Sequence, residues 1–501
     1  MKYSLPYEFK IEELEEIISG KSDFSLSSKA RKKINLARKK LVSLIDSGKT
    51  MYGINTGFGE LASKSISKEN LKQLQLNLIR SHSCGVGYPL SDEEVRLLMF
   101  IRANELSRGA SGVRAEVIDK ICEFLNKGAI PFIPEKGSVG ASGDLAPSSH
   151  MALALCGEGF CKVLGEEKFE SSDKILKRLK IKPLVLEEKE GLALINGTQA
   201  TNAIGSISLL KALKVFHSSI LAGALTVDAL KGTPRAFDSR ISDLKPHPGQ
   251  SYVAKRLSML LEKSEIRESH KINDSRVQDP YSLRCMPQVM GGVMDNLYHC
   301  VNIVEREFKS VTDNPLVFFD GKEIDVVSGG NFHAQSLAFA FDIAAMVMTA
   351  NGNISERRIA QLVSDFKILP PFLAKNPGLE SGFMIAHVTA AALCNENNIL
   401  SHPASASSVP TSANKEDFVS MGTNAALKLR TVVENVSRIV AIELIASTKA
   451  IGFHRPLKTS PNLEKVMEKL KSIVGDVEGD VEFSSKIEAV SDAILNGEFI
   501  L

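Results

Sequence analysis

The segment Gly137-Ser138-Val139-Gly140-Ala141-Ser142-Gly143-Asp144-Leu145-Ala146-Pro147 holds a small residue, a serine and a glycine in one glycine-rich turn. Three glycines within seven residues open backbone paths closed to residues with a Cβ. In such a turn the Gly143 nitrogen can approach the Ala141 carbonyl carbon. Ring closure there, with loss of water that includes the Ser142 hydroxyl, leaves a conjugated exocyclic methylene. That is an electrophile none of the twenty side chains supplies, so the chain would make its own cofactor. Read locally, the same residues are a loop before a helix over Leu145 to Leu155, with Ser142 or Asp144 as its N-cap.

An electrophile that bonds to an amine turns a poor leaving group into a good one. Elimination also needs a positioned base for a barely acidic carbon, and a clamp for the substrate carboxylate. Gln278-Asp279-Pro280-Tyr281-Ser282-Leu283-Arg284-Cys285-Met286-Pro287-Gln288 sets a tyrosine and an arginine three residues apart between two prolines. On a helical turn they share a face, and the arginine fork suits a carboxylate. Tyr52-Gly53-Ile54-Asn55-Thr56-Gly57-Phe58-Gly59 lacks the Gly-Lys-Ser/Thr of a phosphate loop. It reads either as a turn with a buried tyrosine or as a lid carrying Tyr52 over a site. A free tyrosine ionises near pH ~10, so a tyrosine base needs local positive potential, which helix N-termini can supply.

In these segments the chain closely resembles the aromatic amino acid ammonia-lyases and aminomutases, from about residue 52 to about residue 421. The resemblance implies a 4-methylidene-imidazol-5-one group formed autocatalytically from Ala141, Ser142 and Gly143, with no external cofactor. It implies that Tyr52 is the candidate base for the β-proton and Tyr281 a second catalytic tyrosine. Arg284 becomes the carboxylate anchor and Gln278 a nearby hydrogen-bonding residue. Asn196, in Leu194-Ile195-Asn196-Gly197-Thr198, reads alone as a helix cap; the resemblance puts it beside the electrophile, binding substrate. Phe332, in Gly329-Gly330-Asn331-Phe332-His333-Ala334, is a core residue by default, and the resemblance sets it against the methylidene group. His82 matches the position along the substrate side chain. The family is tetrameric, with sites drawing on more than one subunit, and its architecture is the long-helix one shared with fumarase and aspartase.

Substrate choice turns on Asn414-Lys415-Glu416-Asp417-Phe418-Val419-Ser420-Met421. Histidine-specific members carry glutamate at the position of Glu416; those for phenylalanine or tyrosine usually carry glutamine. A carboxylate accepts an imidazole N–H, but beside a phenyl ring it stays unpaired at a cost of roughly 1–3 kcal/mol or more. Asp279-Pro280 before Tyr281 and Ser401-His402-Pro403-Ala404-Ser405 also look like the histidine branch. Three residues depart from the pattern and flank the site: Met286 for glutamine, Lys415 for glutamine and Phe418 for histidine. The expected reaction is elimination of ammonia from L-histidine to give trans-urocanate, the first step of histidine breakdown. Its rivals are a tyrosine or phenylalanine lyase or aminomutase of the same family, and a helical scaffold without activity. A fumarase- or aspartase-type lyase is disfavoured because its Gly-Ser-Ser loop and Met-Pro-x-Lys run are not seen.

The elements that must position these residues are mostly helices. Apolar spacing predicts a short helix over 11–18, a basic helix from about 29 to 47 with a solvated charged face, and helices through 65–127. Cys161 to Leu164 and Pro183 to Leu186 read as short strands around a small helix. A soft boundary near residue 190 divides an N-terminal domain, 1–190, carrying the lid tyrosine and the electrophile, from a domain over 191–501. The second domain reads as a bundle of long helices, over about 196–231, 288–309, 333–363 and 419–451, carrying substrate-binding residues and oligomer contacts. An Asp-Gly hairpin over 318–324 interrupts it. The 501 residues are 44% hydrophobic and 24% charged with a net charge of +2, an ordinary composition that draws the chain to neither nucleic acid nor membrane. Seven scattered cysteines without metal-ligand spacing, and an N-terminus without an apolar signal region, fit free thiols in the cytoplasm. The ten histidines include no His-Glu-x-x-His, so no metal centre is expected.

Overall fold

The computed structural model describes residues 1–47, 51, 53–56, 66–272, 274 and 276–500. Helices dominate it, with four small sheets of two or three short strands each among the described residues. It divides into two compact units built from interleaved stretches, whereas the sequence reading divided the chain once, near residue 190. One unit comprises 1–207, 301–341 and 404–427; the other comprises 208–300, 342–403 and 428–501. Three of the changeovers fall inside the helices Gln199–Ala229, Gln335–Ser364 and Gly422–Gly452. Helices of 30 or 31 residues run about 45 Å, longer than one core is wide.

The first unit opens with the parallel pair Lys2–Leu5 and Asp23–Leu26, in which Tyr3 lies opposite Phe24. Alternate residues Tyr3, Leu5, Phe24 and Leu26 turn inward, the period-two pattern of a half-buried strand. The basic helix Ser28–Asp46 is capped by Ser27, whose hydroxyl accepts from the Ala30 amide at 3.2 Å. Of the apolar face expected from Ile34, Ala37, Leu41 and Leu44, the first three are buried and Leu44 is half-buried, Ile45 taking the buried place beside it, while the lysines stay in solvent. Helix Asp92–Leu106 carries a capping box between Ser91 and Glu94 and is buried on all sides from Glu94 onward. Helix Leu145–Leu155 follows the Ala-Ser-Gly turn over the span expected. The Asp-Gly hairpin is present as Leu316–Phe319 paired with Ile324–Val327.

Two strand expectations fare differently. Phe160–Val163 is a strand, central in a three-stranded sheet with Ala129–Pro131 and Glu170–Ser171. Residues 183–186 form none. There the chain buries Leu184 and Leu186 and is tied by the Leu184 amide donating to the Leu155 carbonyl at 2.8 Å and by Arg114 Nη2 donating to the Val185 carbonyl at 2.6 Å. Pro183 has no N–H to offer a ladder.

In the second unit, Leu429, Val432, Val436, Ile439 and Val440 form the expected buried face. Within this apolar packing sits one ion pair: Arg358 donates to both Glu443 oxygens at 2.6 and 2.7 Å, with no exposure on either side chain. Thr226 and Ser355 complete the carboxylate's shell at 2.7 and 2.6 Å. The carboxylate is filled while Arg358 Nη1 is buried without a partner, and a buried carboxylate shared in this way ties together the three long helices that supply it and its donors.

Candidate active site

Backbone geometry makes the Ala-Ser-Gly turn compact. Gly140 and Gly143 adopt φ +64° and +78°, in the left-handed region. A Cβ on Gly143 would stand 2.3 Å from the Gly197 carbonyl oxygen, so no side chain fits there. Gly143 and Gly197 pair as a parallel bridge, and the Asp144 amide donates to the Gly197 oxygen at 2.7 Å. On the other side the Met421 amide donates to the Val139 carbonyl at 2.8 Å. The Gly140 carbonyl accepts from the Ala334 amide at 3.2 Å and from the Ser420 hydroxyl at 2.9 Å.

Asp144 occupies the N-cap position of the following helix, but its carboxylate makes no cap bond. It is fully buried and accepts from Ser138 Oγ (2.8 Å), the Thr201 amide (2.6 Å), Thr201 Oγ1 (2.8 Å) and Thr423 Oγ1 (2.9 Å). Burial raises its pKa above the ordinary carboxylate value, and those four bonds pull it back. The capping expected of Ser142 or Asp144 thus gives way to tertiary bonds: two remote segments, at Thr201 and Thr423, pin the turn through one carboxylate.

Ser142 is half-buried, and its hydroxyl donates to Glu416 Oε1 at 2.5 Å. Asn196 Nδ2 donates to the Ser142 carbonyl at 2.6 Å, while Asn196 Oδ1 is buried without a partner. Asn196 also stands as the C-cap of Glu190–Ile195, so its local reading holds as well. Glu416 is steadied by Thr411, whose hydroxyl donates to Oε2 at 2.7 Å and whose backbone pairs with that of Glu416. His82 ends helix Leu71–His82. Its Nδ1 meets the Leu78 carbonyl at 2.8 Å, which makes Nδ1 the protonated nitrogen and leaves Nε2 bare. Burial lowers its pKa, opposed by the Leu78 carbonyl and the Glu416 charge. Phe332 is half-buried, two residues before the Ala334 amide that holds Gly140. The structure therefore links Ser142, Asn196 and Glu416 directly, with His82 within electrostatic reach of Glu416.

In the second unit, Tyr281–Arg284 forms the expected helical turn behind Pro280. The Arg284 guanidinium lies over the Tyr281 ring, 4.6 Å from its centroid, and Nε donates to the Asp279 carbonyl at 3.0 Å. Asp279 is itself anchored, since its buried carboxylate accepts from the Thr233 amide at 2.7 Å. Tyr281 is 71% exposed and Gln278 is exposed. Met286, where glutamine was expected, is fully buried against Gly223, a site that suits a thioether better than an amide. Phe418 is exposed and stacks on His333 at 6.1 Å. Tyr52 lies outside the described residues.

The sequence reading missed a polar cluster behind Asn196. Arg102, without exposure, donates from Nη2 to the Asn196 carbonyl at 3.1 Å and to Gln199 Oε1. Its Nη1 reaches Glu105 Oε2 at 3.2 Å. Glu105 Oε1 accepts from the Thr312 amide and hydroxyl at 2.7 and 3.2 Å, and Gln199 Nε2 reaches both Glu105 and Thr312. Beside it, Lys189 and Asp313 pair at 2.7 Å, both without exposure. Burial pushes the Glu105 carboxyl up to about 7, with Arg102 opposing. The available signal was an arginine and a glutamate three apart inside the apolar run 95–106.

Residues 9–472 match the model of the family described as aromatic amino acid lyase, and the chain belongs to that family. It is 44% identical over 497 residues to a histidine ammonia-lyase of Legionella pneumophila, covering 99% of this chain and 97% of that one. The crystal structure of histidine ammonia-lyase from Trypanosoma cruzi superposes with a TM-score of 0.91 at 41% identity, covering 100% of this chain and 94% of the other. A tyrosine aminomutase from Streptomyces globisporus superposes at 0.93 with 34% identity, covering 100% and 98%. The helical lyase architecture expected from the resemblance is thereby established.

Proposed function

We propose that this enzyme eliminates ammonia from L-histidine to give trans-urocanate, the first step of histidine breakdown. The carrying observation is the Glu416 carboxylate, 2.5 Å from the Ser142 hydroxyl. It sets a charged acceptor for an imidazole N–H at the reacting centre. Similarity to histidine ammonia-lyases at 41% and 44% identity supports the same reading.

The residues present fit a methylidene-imidazolone made from Ala141, Ser142 and Gly143. Position 143 has no space for a Cβ, Ala141 is buried, and Asn196 Oδ1 is an unpartnered buried acceptor beside Ser142. Asn196 and Phe332 would hold that group, which supplies an electrophile toward the substrate; no external cofactor is invoked.

The other side chains bind and move protons. Arg284 grips the substrate carboxylate with its fork, its guanidinium held in orientation by the Asp279 carbonyl, and Gln278 adds a nearby hydrogen-bonding group. Asn196 Oδ1 accepts from the substrate amine. Glu416 accepts an imidazole N–H, and His82 lines the same side chain with Nε2 bare. Tyr52 takes the β-proton, and Tyr281 is the second tyrosine of the proton-transfer machinery.

A homotetramer with sites completed by partner subunits accounts for the exposed apolar residues. Helix Met384–Leu400 buries only Ala386, Ala390 and Asn397 and leaves Ile385, Val388 and Ile399 in solvent. Two helices, Gln199–Ala229 and Gln335–Ser364, are long and apolar enough to cross a membrane, but 78% and 72% of their apolar windows are buried inside the protein. Seven free cysteines support a cytoplasmic setting.

The test is ultraviolet absorbance of a conjugated acrylate, with histidine, tyrosine and phenylalanine offered separately and Ser142→Ala alongside. Signal with histidine alone, lost in the variant, is expected. Signal with tyrosine or phenylalanine alone overturns the substrate and leaves a lyase of the same family.

A further inference from the structure

We infer that Arg102 and Glu105 are positioning residues for the self-processing of Ala141-Ser142-Gly143. This rests on the reading that those three residues become the electrophile.

Closure must bring the Gly143 nitrogen onto the Ala141 carbonyl carbon. The new C–N bond forms as the carbonyl oxygen leaves as water with the Gly143 and Ser142 amide protons. A second water takes the Ser142 hydroxyl and its Cα hydrogen. No oxidant or reductant enters. The step is slow in an ordinary peptide because the chain rarely presents the nitrogen to the carbon; holding that arrangement is what a protein can add.

Residues 196 and 197 do the holding. The Asn196 side chain grips the Ser142 carbonyl, and the Gly197 carbonyl grips the Asp144 amide, one bond on either side of Gly143. Neither grip is stiffer than the backbone that bears it. Helix Glu190–Ile195 ends at Asn196, whose own carbonyl also takes a partner. The atom that takes this carbonyl is Arg102 Nη2. The cluster also presses directly on Gly197. A Cβ there, at φ +149°, would stand 2.5 Å from Thr312 Oγ1, 2.7 Å from Gln199 Oε1 and 2.9 Å from Arg102 Nη2. Gly197 is thus sandwiched between Gly143 and the polar cluster. Glu105 sets the fork: it takes Arg102 Nη1 on one oxygen and the Thr312 amide and hydroxyl on the other. Arg102 and Glu105 do not bond Ser142, and Arg102 meets Asn196 at its backbone carbonyl rather than at the side-chain amide proposed to meet substrate, so they act through the backbone of Asn196 and Gly197.

The experiment follows closure as loss of two waters from the peptide spanning 141–143, by mass spectrometry at intervals after synthesis of the full chain. Circular dichroism and native size are recorded for each protein. Wild type, Arg102→Met, Arg102→Lys, Ser142→Ala and the paired Arg102→Met/Glu105→Gln are compared. The pair removes both buried charges and leaves no unpaired carboxylate to burden the fold. Folded Arg102→Met, or the folded pair if the single variant fails to fold, is expected to close at least tenfold more slowly than wild type. Arg102→Lys, which keeps one donor toward the Asn196 carbonyl, should recover part of the rate. A general loss of stability predicts no such rescue. Closure at the wild-type rate in folded Arg102→Met or in the folded pair overturns the inference. An unprocessed 141–143 peptide in the wild-type protein overturns the electrophile itself.

Discussion

Replacing Glu416 by glutamine keeps the shape of the side chain and removes its charge. The backbone at this position is fixed independently, by the reciprocal bonds between Thr411 and Glu416 at 2.9 and 3.3 Å, so the loop should survive. A hydrogen bond to a charged acceptor is worth about 1.5–3 kcal/mol and one between neutral groups about 0.5–1.5. The glutamine carbonyl can still accept an imidazole N–H, so the net loss is about 1–2 kcal/mol. At 1.4 kcal/mol per tenfold, kcat/KM for histidine should fall roughly 5- to 30-fold. Kinetics must be expressed per closed ring, because Glu416 also holds the Ser142 hydroxyl; peptide mass supplies that denominator. Activity toward phenylalanine should hold or rise, since a phenyl ring no longer faces an unpaired charge. An unchanged kcat/KM for histidine per closed ring would refute the role given to the carboxylate.

Three further changes test other parts of the site. Gly143→Ala puts a methyl 2.3 Å from a backbone oxygen at a φ of +78°; it should cost roughly 2–5 kcal/mol in urea denaturation and leave the 141–143 peptide unprocessed. Arg284→Lys exchanges a fork for a point charge and should raise KM for histidine roughly 5- to 30-fold, with ring content unchanged by mass. His150 accepts the Gly85 amide on Nε2 at 3.2 Å, and burial lowers its pKa. Its contribution to stability is therefore complete above the unfolded value of about 6.5 and is lost as pH falls below it, where only the unfolded chain takes up the proton. His150→Gln has no proton to take, so its urea midpoint should fall less than that of wild type between about pH 7.5 and 5; parallel curves would contradict the assignment.

What could be read from the sequence depended on how local the cause was. Helix Leu145–Leu155 and the hairpin around Asp320-Gly321 are set by neighbours in the chain, and both appear where expected. The apolar run at 183–186 resembles a strand in composition, yet a strand needs a partner ladder, and here one amide finds one carbonyl. Strands Val86–Pro89 and Pro134–Lys136 went unseen because they are short and bounded by prolines. At the site, Ser142, Asn196 and Glu416 were each identified through motif context, and they meet. Asp144 was read as a cap because caps are local; its partners at Thr201 and Thr423 lie 57 and 279 residues away. Arg102 and Glu105 sit in a helix buried on nearly every side, where no periodicity distinguishes a clamp from a core.

If Ala141, Ser142 and Gly143 become the proposed electrophile, the bond from Thr423 to Asp144 has a bearing on when the enzyme becomes dangerous to its surroundings. A free methylidene group would alkylate any thiol or amine it met. The turn is pinned by residues at 201, 334, 420, 421 and 423, so the last of its restraints leaves the ribosome some 279 residues after Asp144. At about 5–20 residues per second that is a delay of roughly 15 to 55 s. During that time Ser142 remains an ordinary serine on an unfinished chain. On that reading a truncated or misfolded copy would never assemble the restraints and would stay chemically inert, so the warhead would be armed by completion of the fold itself.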